Sequence, residues 1–344
     1  MNNNLAVVAF AKEDLRVITC AEPSPSPNEA VIEVAYGGIC GSDLHYVSHG
    51  AAGASILVDP LVLGHEVVGT VIAQASDGSG PKVGTKVAVH PGQPHASAGI
   101  RWPEDRPNLA PGSTYLGSAA HRPHTDGAFQ RRVALPTSML REVPFSVPLE
   151  LAALAEPAAV AWHAVNRAER SLEGKRVAVI GLGPIGLLTV AVAKARGAKE
   201  IVGSDLAEAP RKRALAVGAT DVVDAQDSKR IETLDADIVF ESSGSTPGLH
   251  SAIKASTRGG VVVLVGLQRN GLVDVPMALA ITREVDLHGS FRFNDEIDDV
   301  LAAMGSSELN LDGIVTHTFD AEDAASAFDT ARDPAKSGKV LLRF

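Results

Sequence analysis

The hydrophobic and polar positions of the chain follow two different patterns, with the change near residue 150. In the first part, short apolar runs alternate with polar positions between turn-forming stretches, a pattern typical of β-strands with one buried face. It predicts strands at 30–35, 67–73 and 86–90. The stretch 91–127 is rich in Gly, Pro, His and Ser and has little periodicity. It is predicted to be a long loop that is either functional or was once held by a cross-link.

Beyond residue 150 the apolar runs become continuous and alternate with helix-like segments. Strands of this kind are buried on both faces, so the alternation predicts a parallel sheet covered by helices on both sides. The predicted strands, six in number, are 176–180, 200–204, 221–223, 237–240, 260–265 and 285–291. The predicted helices include 151–165, 210–217, 247–256 and 297–304, and a last strand is predicted at 339–344.

Composition narrows the class of protein. At 344 residues the chain is long enough for two domains, each with its own core. The hydrophobic fraction of 45% indicates an ordered globular protein. The formal net charge of −10 disfavours binding to nucleic acid or to an anionic membrane, because both require a basic surface. The expected partner is therefore a small molecule.

Three features predict a soluble, cytoplasmic protein. The two cysteines, Cys20 and Cys40, are too few for a disulfide scaffold in a chain of this size, which favours a reducing compartment. The N-terminus lacks a basic region followed by an apolar run, so no signal peptide is expected. The uncharged stretch 177–193 is shorter than the roughly 20 residues of a membrane helix and is interrupted by Gly and Pro.

A GxGxxG motif lies between a predicted strand and a predicted helix. Its first glycine allows a tight turn, its second lets the backbone approach a pyrophosphate, and its third lets the helix pack on the strand. The helix N-terminus offers free N–H groups and a positive dipole end to the phosphates. The predicted cofactor-binding residues are Gly181, Gly183, Pro184, Ile185, Gly186, Asp205 and Arg211.

Asp205 decides which dinucleotide is favoured. It stands 24 residues after Gly181, at the end of the next predicted strand. A carboxylate there accepts hydrogen bonds from the ribose 2′-hydroxyl group and repels a 2′-phosphate, so NAD is favoured over NADP. Arg211 and Lys212 keep NADP open, because they could hold a phosphate group. The alternative interpretation of the whole segment is a glycine-rich turn that binds no ligand.

A second candidate site combines Cys40, His65 and a carboxylate. Cys40 begins the segment Cys-Gly-Ser-Asp-Leu-His, and His65 lies in Gly-His-Glu. Sulfur, nitrogen and oxygen donors suit Zn²⁺, and catalytic zinc sites use three protein ligands and leave the fourth position for water or substrate. Taken alone, each residue has a commoner interpretation, as a small buried thiol and as a hydrogen-bonded histidine.

Together these motifs resemble the zinc-containing medium-chain alcohol and polyol dehydrogenases, over nearly the full length of the chain. The segments that carry the resemblance are 40–45, 64–66, Glu156-Pro157, 181–186 and Asp205. The resemblance implies an α/β protein that oxidises a secondary alcohol with NAD and one catalytic zinc ion. It implies a GroES-like, β-rich catalytic domain at 1–150 and 288–344, and a doubly wound parallel-sheet Rossmann domain at 151–287.

The family pattern also assigns metal ligands. It makes Cys40 and His65 zinc ligands, and it makes Glu66 a catalytic residue and a further or alternating ligand. Glu156 stands where classical alcohol dehydrogenases have a second cysteine and where polyol dehydrogenases often have Glu, which favours the polyol branch. Which of the two glutamates is the resting third ligand stays open.

Further roles are implied for residues around the metal. Ser42 and His45 match the proton-relay positions of the family. Tyr46 and Arg292 match positions that line the substrate pocket in sorbitol-type enzymes. The segment around Arg122 most resembles the L-idonate 5-dehydrogenases and could face a sugar-acid carboxylate. For Arg122 and Arg292, a surface role is the alternative.

One departure from the family concerns metal content. Many members bind a structural zinc ion through four closely spaced cysteines, but this chain has no cysteine after Cys40. One zinc ion per chain is therefore predicted, and the lobe at 91–112 must be held by packing, hydrogen bonds or a neighbouring subunit. The resemblance implies a homodimer or homotetramer.

A sugar acid such as idonate is the first substrate hypothesis, and a neutral polyol such as sorbitol or xylitol is the second. Two alternatives of another class are a zinc-free enzyme resembling quinone reductases and a non-catalytic nucleotide-binding protein. The proposed zinc ligands argue against the first of these, and the proton-relay residues argue against the second.

Overall fold

The structure is a computed structural model, and it describes residues 4–344. The first part of the chain is rich in short strands, as its alternating pattern predicts. Its strands are β1 Asn4–Ala11, β2 Asp14–Cys20, β3 Glu29–Gly38, β4 Ala51–Ala52, β5 Ser55–Ile56, β6 Leu61–Val62, β7 Glu66–Ala73, β8 Lys86–Val89, β9 Gly92–Gln93, β10 Thr114–Tyr115, β11 Arg132–Pro136 and β12 Leu140–Glu142. Its helices are α1 Gly41–His49, α2 Leu149–Ala152 and two 3₁₀ turns, Pro107–Leu109 and Thr137–Met139.

The middle part alternates helices and strands. Its helices are α3 Ala155–Asn166, α4 Pro184–Ala195, α5 Glu208–Val217, α6 Ser228–Glu232, α7 Thr246–Ala255 and α8 Met277–Arg283. Its strands are β13 Arg176–Ile180, β14 Glu200–Asp205, β15 Asp221–Asp224, β16 Ala236–Glu241, β17 Ser256–Leu264 and β18 Asp286–Gly289. The last part contains α9 Glu296–Gly305, β19 Val315–Asp320, the 3₁₀ turn Ala321–Asp323, α10 Ala324–Ala331 and β20 Lys339–Arg343.

The middle strands form one sheet in the order β15-β14-β13-β16-β17-β18, and every neighbouring pair is parallel. The strand order runs outward in opposite directions from β13, so a crevice opens at the carboxyl ends of β13 and β16. In open α/β sheets, ligands bind in such a crevice. This sheet confirms the predicted Rossmann fold.

The other large sheet joins the two ends of the chain. Its strands follow the order β12-β8-β7-β3-β20-β19, and β11 also pairs with β3. The last strand, β20, is antiparallel to β3, with Leu341 opposite Gly38. The C-terminal segment therefore completes the β-rich layer that the N-terminal segment begins, and the predicted α/β fold class is confirmed.

Two predicted elements differ from the observed ones. The helix predicted at 151–165 is divided into α2 and α3, because Pro157 has no N–H to donate to the carbonyl of Ala153 and so must lie in the first turn of a new helix. The strand predicted at 285–291 spans only Asp286–Gly289. The chain leaves the strand before Arg292, whose φ of 52° is left-handed. The predicted domain boundary at 287 falls inside this strand.

The stretch 91–127 contains more structure than its sequence predicts. The two-residue strands β9 and β10 pair antiparallel within it, and the 3₁₀ turn Pro107–Leu109 lies between them. Across residues 4–344, no helix is both long enough and apolar enough to span a membrane.

Candidate metal centre and dinucleotide site

Cys40, His65 and Glu66 meet at one end of the sheet formed by β3 and β7. Cys40 lies two residues after the end of β3, and Glu66 begins β7 opposite Gly38 in the antiparallel register. The pairing therefore brings the two loops together, although 25 positions separate Cys40 and His65. One ligand atom from each of Cys40, His65 and Glu66 lies within 4.8 Å of the other two. His65 and Glu66 are buried, and Cys40 is half-buried.

Asp43 fixes the two loops against each other. One carboxylate oxygen accepts a hydrogen bond from the backbone N–H of Cys40 (2.9 Å), and the other accepts one from Gly64 (3.2 Å). Burial raises the pKa of Asp43, while the neighbouring His65 opposes that shift. Its position three residues into α1, facing back to the residue before the helix, is a capping arrangement. Asp43 is thus a positioning residue that the family resemblance did not indicate, although its spacing of three from Cys40 is a usable sequence signal for a cap.

Glu66 is paired with a lysine from the far end of the chain. The ammonium group of Lys339 lies 2.7 and 2.6 Å from the two carboxylate oxygens, and it also donates to the carbonyl of Ile39 at 3.1 Å. Burial alone lowers the pKa of Lys339, but Glu66 and Cys40 raise it above its usual value. The ammonium group is thus the counter-charge for a buried carboxylate group that is itself one of the three candidate metal ligands.

Glu156 lies in the first turn of α3 and is buried. One of its carboxylate oxygens accepts a hydrogen bond of 2.5 Å from the hydroxyl group of Tyr115. Burial raises the pKa of Glu156 to about 7, although the charge of His65 opposes the shift. Glu156 stands outside the three-residue cluster but close enough to His65 and Glu66 to interact with their charges. Tyr115 had no sequence signal, since it is a single aromatic residue in an irregular stretch.

The geometry and donor set fit a zinc ion. Burial lowers the pKa of His65, but Cys40, Asp43 and Glu156 together raise it well above its usual value. Nδ1 of His65 is buried and has no hydrogen-bond partner within residues 4–344. A buried imidazole nitrogen without a partner is costly, and a cation at this point would satisfy it.

The two predicted proton-relay residues lie on α1, next to this cluster. Ser42 is half-buried, and His45 is exposed with its Nδ1 at 3.4 Å from Nδ1 of His49. Partial burial and the neighbouring His49 lower the pKa of His45. The spacing of three residues places Ser42 and His45 on the same side of the helix.

The three predicted substrate residues have different surroundings. Tyr46 is buried, and its hydroxyl oxygen accepts a hydrogen bond from the backbone N–H of Ala119 at 2.9 Å. The guanidinium group of Arg292 lies 4.0 Å from the centre of the Tyr115 ring, which connects it to Glu156. The side chain of Arg122 is 72% exposed and forms a 3.1 Å ion pair with Asp59. Arg122 is thus held on the surface rather than in the cluster.

The glycine-rich turn has the shape expected of a phosphate site. Gly181 has a φ of 89°, and a Cβ atom there would lie 2.6 Å from the backbone nitrogen of Ser243. A Cβ atom on Gly186 would lie 1.9 Å from the carbonyl oxygen of Gly181, so the helix can approach only without a side chain. At Gly183 a Cβ atom would meet no atom of residues 4–344 within 4 Å, so there is open space at the N-terminus of α4. A dinucleotide fits these residues.

Pro184 and Ile185 form the first turn of α4, where the missing N–H of proline costs no hydrogen bond. The Ile185 carbonyl accepts a hydrogen bond from the hydroxyl group of Thr189 at 2.8 Å, inside the helix. Both residues therefore shape the turn through the backbone.

Asp205 ends β14 beside the glycine-rich turn. Its carboxylate accepts hydrogen bonds from the backbone N–H groups of Leu182 (2.8 Å) and Ala207 (2.9 Å). Arg211 donates to the backbone carbonyl of Asp205 at 2.6 Å and forms a 3.1 Å ion pair with Asp224. The charge of Arg211 is thus already compensated within the protein.

Comparison with known proteins agrees with this geometry. The family model described as "Alcohol dehydrogenase GroES-like domain" matches residues 26–145, and the one described as "Zinc-binding dehydrogenase" matches 184–306. Sorbitol dehydrogenase of Gallus gallus is 36% identical over 99% of this chain and 96% of its own length. The L-idonate 5-dehydrogenase (NAD(P)(+)) of Escherichia coli K12 is 35% identical over 92% of each chain.

Solved structures give the same result. The crystal structure of L-idonate 5-dehydrogenase from Escherichia coli superposes with a TM-score of 0.89 at 31% identity, covering 99% of this chain and 98% of that one. The chain belongs to the zinc-containing medium-chain dehydrogenase family, in its polyol branch. The predicted family and the predicted enzyme class are thereby confirmed.

Proposed function

We propose that the protein oxidises a secondary alcohol of a sugar acid, in the manner of an L-idonate 5-dehydrogenase, and transfers the hydride to NAD. The observation that carries this proposal is the placement of Arg292 on the Tyr115 ring, whose hydroxyl group binds Glu156. The ring of His65 packs edge-on against the same tyrosine, with centroids 5.6 Å apart. A fixed cation thus lies one aromatic ring away from the proposed metal centre, where it can bind a carboxylate of the substrate.

Cys40, His65 and Glu66 are proposed to hold the zinc ion, with Glu156 as the alternative carboxylate. We favour Glu66 as the resting ligand because its oxygen belongs to the close cluster. Asp43 and Lys339 are proposed to orient the ligands, since they bind the backbone of Cys40 and the carboxylate of Glu66. Such outer partners fix a metal site as much as its ligands do.

When bound, zinc supplies Lewis acidity toward the substrate oxygen, and the nicotinamide ring accepts the hydride. In this proposal the hydroxyl group of the half-buried Ser42 accepts the proton that the substrate hydroxyl group loses and gives up its own proton toward His45. His45, on the same side of α1 and exposed, passes that proton to solvent. The lowered pKa of His45 keeps its ring neutral near pH 7, so that it can accept the proton.

The arrangement around Asp205 supports a preference for NAD over NADP. The carboxylate of Asp205 lies at the turn, where the ribose of a bound dinucleotide is expected. Arg211 is engaged by Asp205 and Asp224, and the exposed Lys212 forms an ion pair with Glu208 at 2.6 Å. Arg211 is therefore compensated within the protein, whereas the exposed ion pair of Lys212 is weak and does not by itself exclude a 2′-phosphate.

A neutral polyol is the second candidate substrate. It is supported by the 36% identity with a sorbitol dehydrogenase and by the ion pair that keeps Arg122 on the surface. The experiment that separates the candidates is an assay of sugar acids and neutral polyols with NAD and with NADP, before and after chelation. The proposal expects the highest kcat/KM for a sugar acid with NAD and loss of activity on chelation. A neutral polyol as best substrate contradicts the sugar-acid proposal, and chelation without effect contradicts the zinc.

We also propose that the chain forms a homodimer or homotetramer through the β18 edge of the Rossmann sheet. Within residues 4–344 this strand has a neighbour on one side only, and apolar side chains just before and after it in the chain are exposed, namely Ile281 at 68% and Phe291 at 51%. Exposed apolar groups beside an open strand edge are typical of an interface. Sedimentation analysis of the Ile281→Glu variant should give a smaller species than wild type, and a monomeric wild type would refute the interface.

A further inference from the structure

Arg292 has a backbone conformation that side-chain-bearing residues rarely adopt. Its φ is 52°, in the left-handed region. Such a conformation is unfavourable for a long side chain and persists only where the surrounding contacts impose it. The contacts that impose it here determine where the guanidinium group points.

Asn108 forms hydrogen bonds with Phe291, directly before Arg292, and with Asn294, two residues after it. The side-chain amide of Asn108 donates a hydrogen bond to the carbonyl oxygen of Phe291 at 2.7 Å. The backbone N–H of Asn108 donates to the side-chain oxygen of Asn294 at 2.9 Å. The carbonyl of Asn294 in turn accepts a hydrogen bond from Nε2 of His90 at 2.6 Å. Asn108 therefore holds the chain on both sides of the strained residue, through Phe291 before it and Asn294 after it.

Asn108 is itself anchored to the Rossmann side of the molecule. Its amide nitrogen lies 3.4 Å from Nε2 of the buried His163, whose Nδ1 is 2.7 Å from a carboxylate oxygen of Glu296. With Nδ1 donating to Glu296, Nε2 is free to accept from Asn108. The amide orientation follows from this network, because a flipped amide would set its oxygen against the Phe291 carbonyl.

Asn108 belongs to the lobe at 91–112, which has no cysteine for a structural metal. Asn108, Tyr115 and Arg292 together line a cavity of about 170 Å³ between this lobe and the segment 292–295. The lobe is thus joined by hydrogen bonds to the segment that carries Arg292.

We propose that Asn108 is a positioning residue that sets the guanidinium group of Arg292 over Tyr115 and thereby tunes recognition of an anionic substrate. The part that concerns the substrate rests on the proposed function. The part that concerns the position of Arg292 does not, and it can be tested separately.

The first test is a double-mutant cycle between Asn108→Ala and Arg292→Ala, assayed with a sugar acid and with a neutral polyol. Misplacing a positioned group costs up to about 100-fold. We expect Asn108→Ala to raise KM for the acid by about tenfold with little change in kcat. In the Arg292→Ala background the same substitution should change KM by less than about twofold, because its target is gone. Equal losses in both backgrounds would overturn the proposal, since they indicate a general structural role.

Glu104→Ala is the matched control, because Glu104 is an exposed residue of the same lobe. It should leave KM and kcat unchanged. If Asn108→Ala does not fold, Asn294→Ala removes the acceptor of the Asn108 N–H from the other side and should give the same non-additivity. If Arg292→Ala lowers activity equally on acids and polyols, the proposed sugar-acid function is contradicted. The double-mutant cycle would still show whether Asn108 positions Arg292.

The second test needs no substrate. Crystal structures of the wild-type protein and of Asn108→Ala should differ at Arg292, with the guanidinium group displaced from the Tyr115 ring in the variant. An unchanged Arg292 in the variant would overturn the positioning role, whatever the enzyme oxidises.

Discussion

The ammonium group of Lys339 bridges both carboxylate oxygens of Glu66, and the two side chains are only 2% and 1% exposed. They lie 273 positions apart in sequence, so the contact forms only when β20 joins the sheet beside β3. Two charges taken out of water need each other, because neither can be solvated. The C-terminal strand therefore stabilises the carboxylate that is proposed to face the metal.

Lys339→Met should destabilise the protein by about 3–5 kcal/mol, because it leaves Glu66 buried without a counter-charge. Chemical denaturation in the presence of a chelator measures this loss without a contribution from metal binding. Lys336→Met is the control, since Lys336 is 73% exposed and pairs with Asp333 only at the surface. A loss as small as that of Lys336→Met would show that the buried pair contributes little.

Zinc affinity should fall as the pH falls below about 7. The pKa of Glu156 is raised to about 7 by burial, and that of His65 lies well above its usual value. Below its pKa each group carries a proton that is released when zinc binds. His65 must lose its proton to act as a ligand, and the charge of the ion favours the ionised form of the nearby Glu156 even with Glu66 as the ligand. The apparent association constant therefore decreases by about tenfold per pH unit for each proton released. Chelator competition between pH 8 and pH 6 measures the slope.

The variant Glu156→Gln tests the share of Glu156 in that slope. It cannot release a proton, so its slope below pH 7 should be smaller by about one proton than that of wild type. An unchanged dependence of zinc affinity on pH would mean that Glu156 does not lose a proton when zinc binds.

The hydroxyl group of Tyr115 should matter for zinc as well as for substrate. Tyr115→Phe removes the 2.5 Å hydrogen bond to Glu156 but keeps the ring under Arg292. Loss of such an outer partner typically costs about 10- to 100-fold in metal affinity or activity. Isothermal titration with zinc compares the variant with Tyr36→Phe, since Tyr36 lies on β3 opposite Val68 and Arg343 and is not one of the clustered residues. Equal zinc affinities of Tyr115→Phe and Tyr36→Phe would show that the Tyr115 hydroxyl group does not contribute to the metal centre.

Asp205→Ala should change the cofactor preference. The ratio of kcat/KM for NADP over that for NAD should rise by about 10- to 100-fold, because a hydrogen bond to a charged group is lost for NAD and a repulsion is removed for NADP. Asp329→Ala is the control, since Asp329 is 75% exposed and pairs with Arg332 at the end of α10. If both variants keep the wild-type ratio, Asp205 does not discriminate between the cofactors.

Arg292→Ala should raise KM for a sugar acid about 10- to 100-fold more than KM for a neutral polyol, because a charge-assisted pair is lost only with the acid. Arg122→Ala should change either KM by less than about threefold, since an exposed ion pair contributes little. Steady-state kinetics with both substrate classes gives the comparison. A larger rise in KM for the sugar acid in Arg122→Ala than in Arg292→Ala would indicate that the substrate carboxylate binds at Arg122.

The Rossmann half could be predicted from sequence because its signals are local. Strand, glycine turn, helix and Asp205 follow one another within about 30 residues, the length of one βαβ unit, and each depends on its neighbours in the chain. The prediction of one continuous helix at 151–165 was wrong for an equally local reason. Pro157 is accommodated only in the first turn of a helix, so the segment is divided into α2 and α3.

The contacts that complete the site could not be predicted, because they join distant segments. Lys339 meets Glu66 only through sheet pairing, although a lysine at the start of an apolar final strand is a usable signal. Tyr115 and Asn108 lie in an irregular stretch, where neither periodicity nor turn chemistry indicates a partner. For Arg122 the sequence suggested a role that the contacts do not favour. The segment resembles a substrate-binding one, but Arg122 forms an ion pair with Asp59 at the surface.

X-ray absorption at the zinc edge, measured on active enzyme of known metal content, tests the central claim most directly. The account predicts one zinc ion per chain, with one sulfur neighbour at about 2.3 Å and the remaining nitrogen and oxygen neighbours at about 2.0–2.2 Å. Cys40→Ser should remove the sulfur signal. Fully active enzyme without metal, or zinc with no sulfur neighbour, would contradict the account.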